Sequence, residues 1–207
     1  MSLWKFGLKF LKSQLFTHIP PTTADFSGQT IIVTGSNTGL GLEAARQLAT
    51  LGAARIVLAV RTVSKGEAAK ADILATTKIT EDIIEIWPLD LSDLESMRKF
   101  GTRVAGLERL DAVIQNAGIL SPLNVTYVGE IEAHFAINTI AAVLVGLLVL
   151  PKLRETSKRF ETRTRLSFVG SDMHYVASVS EATAPEYDSI MEALRDEKLA
   201  KQHSEHR

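Results

Sequence analysis

A glycine-rich turn between an apolar strand and an amphipathic helix limits most strongly what this chain can fold into. Residues 30–34 (TIIVT) are a short β-branched run typical of a buried strand, and residues 35–41 (GSNTGLG) follow directly. Apolar residues then recur at helical spacing from residue 40 to residue 51, and Gly52 ends the helix. Between a strand and a helix, such glycines allow a tight bend, close approach of the backbone to a pyrophosphate, and close helix packing. The helix N-terminus adds free N–H groups and a positive dipole end, so the turn predicts a dinucleotide site.

Strands and helices alternate along the rest of the chain. Further strands are predicted at residues 55–60, 83–87, 111–115 and 165–169, and further helices at about 64–76, 93–105, 129–150 and 186–201. The strands are continuously apolar, as in parallel sheets covered on both faces. With right-handed crossovers, this pattern predicts an α/β fold of the Rossmann type, a doubly wound parallel sheet in three αβα layers with strand order 3-2-1-4-5. We expect residues 1–25 to form an N-terminal amphipathic helix and linker, and residues 26–207 to form the nucleotide-binding domain.

Two finer predictions concern the helix ends. Ser64 and Glu67 have the spacing of a capping box at the start of the second helix of this domain. The charge-rich segment 154–165 is interpreted as a solvated loop after the long apolar helix.

The N-terminal segment separates lysines from apolar residues. At helical spacing, one face carries Lys5, Lys9 and Lys12, and another carries Trp4, Leu8, Leu11 and Leu15. The lysines interrupt any apolar region of a signal peptide. Two interpretations stay open: the helix covers the domain with its apolar face, or it makes peripheral contact with a membrane surface.

Composition narrows the function classes. The net charge of −1 argues against general nucleic-acid binding, which usually needs a basic face. The absence of cysteine excludes disulfides, thiolate zinc sites and cysteine nucleophiles, and favours a cytoplasmic protein. No residue pattern predicts a metal site.

The end of the second strand bears on the choice between the two nicotinamide dinucleotides. NAD enzymes usually place a carboxylate there to bind the ribose hydroxyls, whereas this chain has Ala59, Val60 and Arg61. Arg61 can pair with a 2′-phosphate, and Lys65 can assist. The sequence therefore predicts NADP(H) as the cofactor.

These motifs resemble the short-chain dehydrogenase/reductase family. The resemblance rests on TGxxxGxG at residues 34–41, Asp90-Leu91, Asn116-Ala117-Gly118, Asn138, and FVGS at residues 168–171. The amino-acid sequences of segments 58–69 and 166–174 are similar to those of the retinol-dehydrogenase-like reductases of filamentous fungi, many of which serve secondary-metabolite pathways.

The resemblance implies hydride transfer between NADP(H) and a small-molecule carbonyl or alcohol. It implies that the cofactor is held by Gly35, Ser36, Asn37, Gly39, Leu40, Gly41, Arg61, Lys65, Asp90, Asn116, Ala117 and Gly118. It also implies that Ser171 positions the substrate and that Asn138 holds a water of the proton relay. A homodimer is expected from the same resemblance.

The sequence departs from the family in one respect. The family places a lysine four residues after its catalytic tyrosine, and the cation favours the phenolate. Here Tyr175 is followed at that distance by Val179, and Tyr187 by Met191. The simplest interpretation is a chain that is truncated before the Tyr-x-x-x-Lys motif. Such a chain should expose an apolar flank of the long helix (Leu144, Leu147 and Leu148) and an open strand edge.

Several hypotheses therefore remain after the sequence alone. The chain is an NADP(H)-dependent oxidoreductase, a catalytically inactive NADP-binding relative, or a fragment without a function of its own. A hydrolase centred on Ser171 and His174 lacks the Gly-x-Ser-x-Gly turn. The pair His203 and His206 is interpreted as part of an exposed polar tail.

Overall fold

A computed structural model describes residues 3–18, 20–77, 79–120, 125–172, 187–193 and 195–196. The chain divides into two compact units. One spans Ala24–Val169, and the other combines Met1–Thr23 with Gly170–Arg207. The predicted boundary between residues 25 and 26 lies close to the first division, whereas the second division separates residues 170–207 from the unit that carries the glycine turn.

The unit Ala24–Val169 contains the sheet. Its strands are β1 (Thr30–Thr34), β2 (Arg55–Val60), β3 (Ile84–Pro88), β4 (Ala112–Gln115), the short β5 (Tyr127–Val128) and β6 (Ile131–Glu132), and β7 (Arg165–Phe168). Five of these form one parallel sheet in the order β3-β2-β1-β4-β7, and β5 pairs with β6 in a separate antiparallel hairpin. The predicted order 3-2-1-4-5 is confirmed, because β7 is the fifth strand of the main sheet.

The helices follow the strands as expected for parallel crossovers. They are α2 (Gly39–Thr50), α3 (Val63–Thr76), α4 (Leu94–Ala105), α5 (Ala133–Phe135) and α6 (Ala142–Arg159), with a π-helix at Ala136–Ala141 and a 3-10 turn at Glu81–Ile83. The other unit contains α1 (Leu3–Phe16) and α7 (Ile190–Ala193). Of the polar helix predicted at 186–201, the described residues show α7 alone.

Both faces of the sheet are buried at the central strands β1 and β2, as a three-layer fold requires. On one face Ile32, Val57 and Val113 pack with α4 and α6 residues, and on the other Ile31 and Ile56 pack with α2 and α3 residues. All of β1 is buried, which explains its unbroken β-branched sequence. The sheet is thereby held rigidly at the strand ends where the glycine turn begins.

The long apolar helix differs from its predicted bounds at both ends. Gly129 was expected to start it, but Gly129 has a φ of 62° and belongs to the turn between β5 and β6. At the other end α6 continues through Pro151 to Arg159, so the first part of the predicted loop 154–165 is helical. Pro151 lies on the exposed side, where water can bind the carbonyl that its missing N–H leaves free. Beyond it, buried Leu153 and Thr156 anchor the last turns to the core.

The predicted capping box at Ser64 is wrong. Helix α3 begins at Val63 with Thr62 as its N-cap, and the cap makes no side-chain hydrogen bond. A side-chain cap that was not predicted occurs at α4, where the carboxylate of Asp93 accepts a hydrogen bond of 2.9 Å from the N–H of Glu95.

The predicted exposed flank is found only in part. Leu147 is 60% exposed, whereas Leu144 and Leu148 are half-buried against the core. Among the described residues β7 pairs with β4 only, and its Phe168 is 52% exposed, so one sheet edge is open. The helical stretch Ala133–Arg159 is long and apolar enough to cross a membrane by length and composition, but one of its faces packs on the sheet as a core helix does.

Candidate cofactor site

A pocket of about 340 Å³ opens at the carboxyl ends of β1, β2 and β4. This is the edge of a doubly wound sheet where ligands usually bind, beside the point at which the strand order reverses. The lining residues are Gly35, Asn37, Thr38, Ala59, Arg61, Leu89, Asp90, Leu91, Asn116, Ala117, Gly118, Ile119 and Ile137. The pocket therefore brings together residues from the glycine turn, the β2 end, the β3 end and the segment after β4.

The three glycines of the turn differ in what a side chain would meet. Gly35 has a φ of 64°, and a Cβ there would lie 2.8 Å from the Cα of Ala117. A Cβ on Gly41 would lie 2.6 Å from the carbonyl oxygen of Gly35. Gly39 has a φ of 58° and open space, since nothing lies within 4 Å of its Cβ position. Two glycines thus serve close packing, and Gly39 leaves the backbone accessible to a ligand.

Hydrogen bonds to the end of β4 hold the turn in place. The hydroxyl oxygen of Thr34 accepts bonds from the N–H groups of Asn116 (3.0 Å) and Ala117 (2.9 Å). The side-chain amide of Asn116 donates to the carbonyl oxygens of Thr34 (3.0 Å) and Gly35 (3.3 Å). The Asn-Ala-Gly motif therefore fixes the shape of the turn while Asn116 and Ala117 also line the pocket.

The N-terminus of α2 provides amide groups for an anion. Its N-cap Thr38 makes no side-chain capping bond, so the first N–H groups, from Gly39 to Gly41, have no partner within the helix. Ser36 is fully buried, and its hydroxyl donates to the carbonyl of Val33 at 2.9 Å, so only its backbone could meet a cofactor. Leu40 is 77% exposed and does not line the pocket. This arrangement fits a pyrophosphate held by backbone groups.

Charged residues lie at the rim where the sequence predicted them. Arg61 is exposed and lines the pocket, whereas Lys65 is exposed but is not part of the lining. Asp90 also lines the pocket, and its Oδ1 accepts bonds from the N–H (2.9 Å) and hydroxyl (2.6 Å) of Ser92. Asp90 therefore stabilises its own turn, and its second oxygen is the one that could meet an adenine.

Asn138 lies in the π-helix, and its side-chain amide makes hydrogen bonds with the protein backbone. Its Oδ1 accepts a 2.8 Å bond from the N–H of Ile119, and its Nδ2 donates a 2.9 Å bond to the carbonyl of the same residue. A Cβ on Gly118 would lie 3.1 Å from that Oδ1. The side chain thus clamps the segment after β4, and any water at this position would be held by the backbone. Single π-turns of this kind occur frequently at functional sites.

The helix that leads to Asn138 starts from a paired carboxylate. Glu132 accepts a 3.1 Å bond from the N–H of Phe135 and lies 2.5 Å from Nδ1 of His134. Burial raises the pKa of Glu132, but the hydrogen bonds from His134 and Phe135 together lower it further, so the pKa lies below its ordinary value. His134 is therefore a structural partner of Glu132.

The remaining candidate residues belong to the other unit. Ser171 is exposed and lies three residues after the end of β7. The hydroxyl of Tyr187 donates a 2.7 Å hydrogen bond to Asp196. Tyr175, His174, His203 and His206 lie outside the described residues. Within the described ranges, no group of three His, Asp or Glu side chains could hold a metal ion.

Six residues that were not predicted as site residues also line the pocket. They are Thr38, Ala59, Leu89, Leu91, Ile119 and Ile137. Five of them directly neighbour a predicted site residue in the chain, so their sequence position was the available signal. The exception is Ala59, which is the last residue but one of β2 and lies two positions before Arg61.

Comparison with known proteins matches the same region. The model of the short chain dehydrogenase family matches residues 29–160. The short chain dehydrogenase/reductase dmxR8 of Cryptosporiopsis sp. is 40% identical over 92% of this chain and 59% of its own length. Among solved structures, a metagenomic short-chain oxidoreductase in complex with NADP has a TM-score of 0.56 at 27% identity, covering 86% of this chain and 74% of that one. The oxidoreductase yciK of E. coli has a TM-score of 0.63 at 23% identity, covering 92% and 71%. The chain spans about half to three fifths of the length of the curated relatives it matches.

Proposed function

The chain belongs to the short chain dehydrogenase family, and we propose that it binds NADP(H) in the pocket beside β1 for hydride transfer to or from a small-molecule carbonyl or alcohol. The family binds a nicotinamide cofactor, and the choice of the phosphorylated form is specific to this proposal. When bound, the cofactor supplies or accepts the hydride.

One observation carries the choice of NADP(H). Arg61 lines the pocket at the end of β2, and no carboxylate stands at residues 59–61. A guanidinium can pair with a 2′-phosphate through two hydrogen bonds, whereas the ribose hydroxyls of NAD favour an acid at this position. Lys65, four residues later in the first turn of α3, is exposed and adds a second positive charge after β2.

The other residues of the turn act mainly through their backbone. The pyrophosphate would lie against the N–H groups of Gly39, Leu40 and Gly41, with Asn37 at the pocket wall. Gly35 and Gly118 allow the wall to lie close to Ala117 and Asn138, respectively. Asp90 would face the adenine with its free oxygen.

Two residues of these 207 are proposed to act in the chemical step. Ser171 would position the substrate oxygen, and the π-helix backbone at Asn138 would hold a water. The 207 residues contain no tyrosine followed four positions later by lysine, the pair that would donate and stabilise the proton in this family. For these 207 residues, that observation favours a second candidate function, which is binding of NADP(H) without turnover of a substrate.

Binding is tested by fluorescence titration of the 207-residue chain with NADPH and NADH. The Arg61→Ala variant should weaken NADPH binding about 10- to 100-fold, the value of a charge-assisted hydrogen-bond pair, and leave NADH within about threefold. Arg98→Ala, an exposed arginine on α4 outside the pocket, is the matched control and should change neither. Equal loss of NADPH and NADH binding in Arg61→Ala would show that Arg61 does not read the 2′-phosphate.

Turnover separates the two candidates. The purified chain is mixed with NADPH and a panel of aldehydes and ketones, and oxidation of NADPH is followed optically. Turnover that is lost in Ser171→Ala supports the enzyme, whereas NADPH binding without any turnover supports the inactive relative.

The wider setting is proposed from the relatives. Similarity to fungal short chain dehydrogenases supports a role in secondary-metabolite biosynthesis. A cytoplasmic location and a homodimer are proposed from the sequence alone. Gel filtration of the chain with and without NADPH tests the dimer, which a monomer under both conditions would exclude.

A further inference from the structure

Helix α1 presents large apolar side chains to solvent. The exposed fractions are 75% for Trp4, 51% for Leu8, 55% for Leu11 and 65% for Leu15. In a water-soluble helix such residues normally face a core. Their exposure over four turns indicates a surface that meets something other than water.

The apolar residues share one side of the helix. At about 100° per residue, the four fall within an arc of about 60°. Phe6 and Phe10, with ring centroids 6.1 Å apart, lie outside this arc, on the far side of the helix beyond the lysines. With 14 residues, α1 is about 21 Å long, which is too short to cross a bilayer but sufficient to lie along one.

All charged residues of α1 are lysines. Lys5, Lys9 and Lys12 are exposed and lie next to the apolar arc. No Asp or Glu occurs among residues 1–24, so this segment is positive in a chain whose net charge is −1. A basic stripe beside an apolar stripe complements an anionic lipid surface, where headgroups pair with the lysines and acyl chains receive the apolar side chains.

We propose that α1 anchors the chain to the surface of an anionic phospholipid membrane. A tryptophan at one end suits the headgroup level, where its ring sits among acyl chains and its N–H remains hydrated. A second copy of α1 is a poorer occupant, because pairing through the apolar arc would bring the lysines of both copies together. Membrane binding by α1 does not depend on the function of the cofactor pocket.

Vesicle sedimentation of the 207-residue chain tests the anchor. Vesicles of phosphatidylcholine with phosphatidylserine should bind the chain, vesicles of phosphatidylcholine alone should bind it at least about tenfold more weakly, and salt near 1 M should abolish the difference. Trp4 emission should shift to the blue on binding, because Trp4 is exposed whereas Trp87 is 1% exposed and already buried. The shift should be missing in Trp4→Phe.

Two pairs of variants separate the apolar and basic contributions. Leu8→Glu should lower binding at least about tenfold, whereas Leu94→Glu, at a leucine that is 50% exposed on α4, should leave it unchanged. Lys5→Gln should lower binding about fivefold, and Lys99→Gln on α4 should not. Because all four side chains are exposed, thermal denaturation and NADPH titration serve as checks that each variant is folded.

Three results would overturn the proposal. These are equal binding to neutral and anionic vesicles, equal effects of Leu8→Glu and Leu94→Glu, and absence of vesicle binding by a folded chain. If Leu8→Glu instead converts an oligomer to a monomer on gel filtration without any vesicle binding, a second copy is the occupant of this face.

Discussion

Substituting the first or the second glycine of the turn by alanine should have opposite consequences for stability and binding. Gly35 and Gly39 both have positive φ, at 64° and 58°, so alanine costs about 1–2 kcal/mol of backbone strain at either position. At Gly35 the new Cβ also lies 2.8 Å from the Cα of Ala117 and 3.1 Å from its Cβ. Relief of that overlap must move β4 away from β1, which adds about 1–3 kcal/mol.

The stability difference follows directly from these terms. Gly35→Ala should lower the free energy of unfolding by about 2–5 kcal/mol, and Gly39→Ala by about 1–2 kcal/mol. Urea denaturation followed by far-UV circular dichroism measures both values under one set of conditions. NADPH titration of the folded variants supplies the second readout.

The loss of NADPH affinity should be larger in Gly39→Ala than in Gly35→Ala, the reverse of the order for stability. A methyl group on Gly39 would enter open space at the helix N-terminus, where the pyrophosphate is proposed to lie, so Gly39→Ala should weaken NADPH binding at least about tenfold. Gly41→Ala, whose Cβ would meet backbone 2.6 Å away at an ordinary φ, is the control for a purely steric loss of stability. Equal stability of Gly35→Ala and Gly39→Ala, or unchanged NADPH affinity in Gly39→Ala, would refute the separation of packing and ligand roles.

Two further predictions concern buried polar contacts. Thr156 is 1% exposed, and its hydroxyl oxygen accepts a 2.9 Å hydrogen bond from the N–H of Leu110. Thr156→Val should therefore lower the free energy of unfolding by about 1–3 kcal/mol, and Thr156→Ser, which keeps the hydroxyl, should lower it less. Equal losses for the two variants in urea denaturation would contradict a hydrogen-bond role. Glu132 has a folded-state pKa below its ordinary 4.5, so its stabilising contribution should be complete above about pH 4.5 and disappear as the pH falls through the lower folded value. Glu132→Gln should flatten that part of the stability profile, and an unchanged acid slope would disprove the assignment.

The arrangement of the sheet was accessible from the sequence because three local signals agreed. The β-branched run of β1, the glycine turn and the amphipathic α2 each predict the same strand–turn–helix unit, and right-handed crossovers leave few alternatives for the strand order. Arg61 could be predicted as a site residue from its position after β2, and Asp90 and residues 116–118 from the family resemblance; the structure brings all of them to one pocket.

Features decided by tertiary contacts were predicted less well. The charge-rich composition of residues 154–165 predicted a loop, but the burial of Leu153 and Thr156 keeps α6 helical to Arg159. The hairpin before α5 has only two residues in each strand, too few for a period to be recognised. The relay water at Asn138 stays a prediction, whereas the pairing of the Asn138 side chain with the backbone of Ile119, 19 positions earlier, cannot be read from local sequence.

The dependence of the glycine turn on Asn116 and Ala117 has a consequence for synthesis of the protein. Residues 30–88 contain three adjacent strands and two covering helices, and they can assemble on the ribosome as a unit. The turn, however, obtains its locking hydrogen bonds only when residues 116 and 117 have emerged, about 80 positions after Thr34. We expect NADPH to protect stalled nascent chains from protease only when their exposed length extends past residue 118, so the dinucleotide would select chains in which β4 has already joined β1.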